Sequence, residues 1–263
     1  MRTLTGTTAV VTGGASGIGA AVARELAESG AHVVVGDICV EAGEGVASEV
    51  AGTFVRCDVS DPEAIAELVD TAIGLAPLRR VVTSAGIGHT ERIVAVNDNS
   101  VFLHDLAAFE RVLRINLLGT FAVIRRAASA MALQKPDDTG ERGSVLMVSS
   151  VEAFDGQAGQ VAYSAAKAAL AGMTLPLARD LAEYGIRVNT IAPGFVDTPI
   201  YGASDASTAY KARLAEDVLF PRRMGRADEV AALATTCLDN SYLNAETIRV
   251  DGGIRMRPTL PAR

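Results

Sequence analysis

Tryptophan is absent from the 263 residues, and other aromatics are scarce, with seven phenylalanines and five tyrosines. Ala, Val, Ile and Leu must therefore fill the core of a chain that is 49% hydrophobic. Such cores suit buried parallel strands covered by helices. Cysteine is nearly missing too. Cys39, Cys57 and Cys237 stand far apart without a CxxC pair. That excludes a disulfide framework or thiolate metal site and fits a reducing compartment. His32, His89 and His104 are scattered at spacings that match no zinc motif, so no metal is expected. An excess of positive charge is also lacking, the formal net charge being −7. This balance argues against nucleic acid or an anionic membrane as the main partner. Any anionic ligand must be met by local donors. No apolar run is long enough to span a bilayer. A strand pattern starts within a few residues of Met1, leaving no room for a cleavable signal. The expectation is a soluble cytoplasmic protein acting on small molecules.

What is present alternates. Short β-rich runs at 7–13, 31–37, 53–59, 79–86, 143–150, 186–194 and 245–253 read as strands. Helical stretches fit between them. One is "DPEAIAELVDTAIG", with Asp61 as N-cap and Pro62 at the first helical position. Alternating β and α with continuous apolar strands predicts an α/β fold. Right-handed crossovers make it a Rossmann-type doubly wound parallel sheet of about seven strands with helices on both faces. No composition break or repeat divides residues 1–263, so a single domain is expected. Residues 88–107 and 135–143 read as loops. Residues 197–223 lack strand character and follow the sixth strand, where such sheets bind ligands. They read as a lid over the substrate.

The first strand–helix turn is "TGGASGIG". Gly13, Gly17 and Gly19, with Ser16 and Ile18 between them, let the backbone approach a pyrophosphate at the helix N-terminus. The second strand ends at Asp37, eighteen residues past Gly19. A carboxylate there accepts from adenosine ribose hydroxyls and repels a 2′-phosphate. No Arg or Lys occupies 13–19 or follows Asp37 directly, so NAD is favoured over NADP. "CDV" ends the third strand. It offers Asp58 to an adenine amino group and Val59 for a backbone contact.

Ser150 ends the fifth strand, Tyr163 follows thirteen residues later, and Lys167 lies one helical turn beyond, in "YSAAK". The chain has only three lysines against 21 arginines, so local habit does not explain Lys167. A free phenol with a pKa near about 10 is a poor base at neutral pH. A neighbouring ammonium favours the phenolate. Tyr163 then reads as the base that takes a substrate hydroxyl proton as hydride leaves the same carbon. Ser150 would stabilise charge on that oxygen. The small Ala165 and Ala166 between them suggest close packing against a partner subunit.

"TGGASGIG", Asp37, "SAG", "RINLLGTF", Ser150, "YSAAK" and "APGFVDTP" occur here in the order of the short-chain dehydrogenase/reductase family, and nearly the whole chain resembles it. The resemblance implies that Ser84, Ala85, Gly86, Pro193, Val196 and Thr198 contact the cofactor, Val196 and Thr198 at the nicotinamide carboxamide. It implies that Lys167 also holds the nicotinamide ribose, and that Asn116 anchors a water beside that lysine. One departure is "TSAG" at 83–86, where the family often has "NNAG". Thr83 and Ser84 lack the asparagine side chains, which puts in doubt sheet-stabilising bonds there.

Within the family, residues 151–199, "FPRRMG" and "YLNAETIRVDGGIRMRP" resemble the type-2 3-hydroxyacyl-CoA dehydrogenases. That group implies oxidation of short or branched 3-hydroxyacyl-CoA with NAD, a homotetramer, and Gln157 near the substrate oxygen. Arg222, Arg223 and Arg257 are the arginines to examine for CoA phosphates. The alternatives are an NAD-dependent secondary alcohol or hydroxysteroid dehydrogenase and a non-catalytic NAD-binding sensor or scaffold. Retention of Ser150, Tyr163 and Lys167 disfavours the last.

Overall fold

A computed structural model describes residues 4–97, 100–202 and 204–259. Asp98 and Asn99 of the expected 88–107 loop, and Ala203 of the expected lid, lie outside the described residues. Seven parallel strands form the central sheet. In chain order the first four are β1 (Thr8–Thr12), β2 (His32–Asp37), β3 (Thr53–Arg56) and β4 (Leu78–Thr83). An antiparallel hairpin, β5 (Val94–Asn97) and β6 (Ser100–Leu103), stands apart from the sheet. The sheet resumes with β7 (Gly143–Val148), β8 (Ile186–Pro193) and β9 (Thr247–Val250), and its order is β3-β2-β1-β4-β7-β8-β9. The chain therefore reverses its winding between β1 and β4. In open α/β sheets a ligand crevice opens at this point, beyond the carboxyl ends of the strands.

Every residue of β1, β7 and β8 is buried, as expected for strands covered on both faces. One aliphatic cluster joins the sheet to α1 (Gly17–Glu28) and α9 (Ala227–Asp239). The opposite cluster joins it to α3 (Pro62–Leu75), α5 (Thr120–Leu133) and α7 (Val161–Ala182). Asp61 caps α3 as expected, its side chain accepting from the N–H of Glu63. A smaller α2 (Val40–Glu49) covers the β2–β3 edge.

Two sequence expectations change. Residues 88–107 are not all loop. "IVAVNDNSVFLH" carries a polar centre between two β-prone runs, which pair Val94 with Leu103 and Asn97 with Ser100. All eight strand residues are exposed, so no inward–outward alternation marks the pair. The second change concerns "SAAK". Ala166 is fully buried beside Val112 and Ala162 of its own chain, and Ala165 is the exposed alanine. Only Ala165 remains open to the partner role suggested for both.

Charge is buried at the other end of the sheet. Arg80 of β4 donates to Glu141 (3.0 Å), and Arg187 of β8 donates to the other oxygen of the same carboxylate (2.9 Å). All three side chains are buried. One charge-assisted bond to each carboxylate oxygen, from two guanidiniums, offsets their desolvation. It ties the polar 135–143 stretch to the strands' starting ends, away from the crevice.

Candidate active site

The crevice at the switch point is a cleft of about 1390 Å³. The β1–α1 turn forms its nucleotide end. Gly13 has φ +67°, and a Cβ there would stand 2.6 Å from the backbone nitrogen of Ala85. At Gly19 a Cβ would stand 2.1 Å from the carbonyl of Gly13. Gly13 thus permits the turn, and Gly19 permits the helix to begin close beneath it. The GxxxGxG spacing follows from these two approaches. Gly13, Ser16, Gly17 and Ile18 line the cleft, whereas Gly19 is packed behind it.

Ser16 precedes α1 but makes no side-chain cap, and no acidic residue occupies the first turn. The leading N–H groups of α1 are thus left to an anion, and the helix dipole adds to the attraction. Asp37 lines the same end. Its carboxylate accepts from the backbone N–H of Ala15 (3.1 Å) and of Cys39 (3.0 Å), which fixes its direction and leaves lone pairs for hydroxyl donors. Ile38 beside it is exposed and apolar. Asp58 and Val59 also line the cleft, but Ser60 N–H and Oγ both hold Asp58 at 2.8 Å. This donor set fits a dinucleotide with free ribose hydroxyls.

The reacting end gathers Ser84, Ala85 and Gly86 after β4, Ser150 after β7, Tyr163 and Lys167 of α7, and Pro193, Val196 and Thr198 after β8. Ser150 stands beside Tyr163 and favours its phenolate, while Ser150 Oγ accepts from the N–H of Glu152 (3.2 Å). The ammonium of Lys167 lies 5.6 Å from the centre of the Tyr163 ring and donates to the carbonyl of Val148 (2.8 Å). Burial governs both groups. It pushes the Tyr163 phenol up to about 12, against the lowering effect of Ser150, and Glu152 adds to the rise. It pushes Lys167 down to about 8. In the protein without its cofactor, burial dominates the titration of the phenol that Lys167 and a bound oxidised nicotinamide are expected to lower. Desolvation is the leading cause of both shifts, although Tyr163 is only half-buried and lines the cleft.

Asn116 does not line the cleft. The helical rod that carries it runs from α4 (Leu106–Leu113) through a π-type turn (Arg114–Gly119) into α5. Its fully buried amide donates to the carbonyl of Ile87 and accepts from the N–H of Ile87, both at 2.8 Å. It thereby pins the segment that follows Gly86. Gln157 does not line the cleft either. It is buried, and its amide donates to the carbonyl of Arg257 (2.8 Å). Glu152 and Gln160 line the cleft from this stretch, and the sequence reading passed over both.

Three further groups were illegible in one dimension. His89 and His104 converge on Glu91, at 3.0 and 3.6 Å from one carboxylate oxygen. Two of the three histidines read as scattered, His89 and His104, are thus neighbours at the stem of the β5–β6 hairpin, and His89 lines the cleft. The expected lid holds α8 (Asp205–Ala215), whose Tyr210 and Leu214 wall the cleft together with Tyr201. Of the arginines singled out for phosphates, Arg223 pairs with Glu229 and Arg257 with Asp217. Arg111 and Arg114 are the arginines that line the cleft.

A family model described as short chain dehydrogenase matches residues 7–208. A 3-hydroxyacyl-CoA dehydrogenase type-2 of Drosophila melanogaster is 42% identical over 252 residues, 95% of this chain and 97% of that protein. A 3-alpha-(or 20-beta)-hydroxysteroid dehydrogenase of Mycobacterium bovis is 35% identical over 258 residues, 95% of this chain and 90% of that protein. The crystal structure of 3-hydroxyacyl-CoA dehydrogenase type-2 from Mycobacterium avium superposes with a TM-score of 0.89 at 38% identity, covering 97% of this chain and 98% of that one.

Proposed function

The chain belongs to the short-chain dehydrogenase family, and on that premise we propose an NAD-dependent dehydrogenase that oxidises short or branched 3-hydroxyacyl-CoA esters to 3-oxoacyl-CoA. The observation that carries the chemistry is the convergence of Ser150, Tyr163 and Lys167 at one end of the cleft, with the Lys167 ammonium 5.6 Å from the Tyr163 ring. The acyl-CoA substrate is supported by the 42% identical relative and the 38% identical crystal structure, both named as 3-hydroxyacyl-CoA dehydrogenases.

NAD, when bound, supplies the hydride acceptor. Tyr163 Oη takes the hydroxyl proton of the substrate, and Ser150 Oγ donates to the same oxygen, so charge never develops there unpaired. Lys167 supplies a positive charge close beneath the phenol ring. Asn116, through Ile87, holds the strand end that borders both groups. The test is NADH absorbance with acetoacetyl-CoA, 2-methyl-3-hydroxybutyryl-CoA, a simple secondary alcohol and a hydroxysteroid. Turnover of the CoA esters is expected. Turnover of the steroid or alcohol alone would favour the hydroxysteroid or alcohol reading.

Asp37→Ala is expected to lower the kcat/KM preference for NAD over NADP by about tenfold to a hundredfold. The ratio is the readout because losing the bonds to Ala15 and Cys39 loosens the turn for both cofactors alike. An unchanged ratio would remove the role given to the carboxylate.

The homotetramer is part of this proposal. Leu118, Phe121 and Leu175 are exposed on α5, α7 and the turn before them. Phe121 also borders a second, largely apolar groove between α5 and α7 with Ala128, Leu177 and Leu181. Phe121→Glu should reduce the solution mass to a smaller assembly by light scattering; an unaltered mass would place the contact elsewhere. No helix among the described residues is long and apolar enough to cross a membrane. Cys39, Cys57 and Cys237 are unpaired, which supports a reducing compartment such as the cytoplasm.

A further inference from the structure

Glu152 lies two residues past Ser150 on a short helical turn, Glu152–Asp155, and is 6% exposed. Its two protein hydrogen bonds fall on one oxygen. Oε2 accepts from the N–H of Gln157 and from Oγ of Ser164, each at 3.0 Å. Among the described residues Oε1 has no hydrogen-bond partner, yet it is not sealed inside the protein. The residue lines the cleft, so its accessible edge opens there.

No cation neutralises it among the described residues. Lys167 donates to the carbonyl of Val148, and Arg249 is held by Asp155 and Asp251. Burial raises the pKa of Glu152, while the bonds from Gln157 and Ser164 favour its charged form, and in that form it raises the pKa of Tyr163 and of Tyr201. None of the cations that line the cleft, Arg111, Arg114 and Lys167, is paired with Glu152, and Tyr210, Leu214 and Met256 of the same cleft carry no charge. A buried carboxylate with an open oxygen and no cation meets a ligand N–H or O–H well. It meets a second carboxylate badly, because apolar walls screen repulsion weakly.

We propose that Glu152 forms a subsite for a neutral hydrogen-bond donor beside the reacting carbon, and so selects neutral acyl derivatives over free 3-hydroxy and 3-oxo acids. This rests on the dehydrogenase reading of Ser150 and Tyr163 but not on the CoA ester.

The test uses two near-isosteric probes, acetoacetamide and acetoacetate, which exchange an amide NH₂ for a carboxylate oxygen. Their dissociation constants from the enzyme–NADH complex are read by NADH fluorescence. The amide should bind wild type at least about tenfold more tightly. In Glu152→Gln the gap should close to within about threefold. Should that variant not fold, the wild-type pair still decides. Equal affinity of the two probes for wild type overturns the proposal, and so does an undiminished gap in the folded variant. A failed dehydrogenase reading shows itself separately, as no NADH oxidation with any 3-oxo compound.

Discussion

Tyr163→Phe should lower kcat/KM for hydroxyl oxidation by about 10³-fold or more, within the range for a positioned acid–base group, while NADH still binds. The substitution keeps the ring and its volume, so the contact with Lys167 and the packing of α7 against Val112 survive. Only the phenolic oxygen beside Ser150 is lost. Cofactor affinity by fluorescence separates this loss from misfolding. The pH dependence gives a second readout with a definite sign. In the protein alone burial holds the phenol up, at about 12, so the proton-accepting form grows as pH rises. Oxidation should therefore speed up through the alkaline range, and carbonyl reduction, which uses the phenol proton, should not. A kcat/KM profile for Tyr163→Phe that keeps the wild-type slope, or a loss below about tenfold, would move the base to another residue.

The parts of this site that are read from sequence are those fixed by backbone geometry. Gly13 and Gly19 answer to close approaches that only a missing Cβ allows, and Asp37 answers to the end of a strand. Apolar runs located all seven sheet strands, most plainly β1, β7 and β8, where burial on both faces writes a continuous signal. The hairpin at β5 and β6 wrote none, since neither of its faces is buried. The π-type turn around Asn116 was equally silent, since a one-residue change in helical winding leaves no composition mark. Side chains that depend on tertiary neighbours were hidden for the same reason. Glu141 stands in a polar stretch that reads as solvated, yet it is buried between Arg80 and Arg187. Gln157 and Glu152 exchange places, because the loop turns its amide inward to Arg257 and its acid toward the cleft. The ionisation of Tyr163 and Lys167 also needs three dimensions. Spacing shows that they share a helix face, whereas burial decides which way each pKa moves.

Lys167→Met should separate what the lysine does for catalysis from what it costs the fold. Turnover should fall by about 10²-fold or more, since the cation over the Tyr163 ring is gone. Stability should not fall with it. Lys167 is 5% exposed, and burial lowers its pKa from 10.5 to about 8. A folded-state pKa below the unfolded one means that the charged form is disfavoured in the fold. Below pH 8 the amine is charged in both states, and the penalty is complete, about 3 kcal/mol from the size of the shift. Between 8 and 10.5 the folded amine is neutral while the unfolded one is charged, and the penalty shrinks as pH rises. Above 10.5 it vanishes. Methionine fills a similar volume without charge but loses the bond to the Val148 carbonyl, worth about 1–3 kcal/mol. The variant should thus match or exceed wild type in melting temperature at neutral pH, with the difference moving in favour of wild type as pH climbs towards 10.5. Differential scanning calorimetry across that range checks the sign. A variant that melts well below wild type at neutral pH would mean that the buried amine is held mainly for structure, and its place beneath Tyr163 would need another explanation.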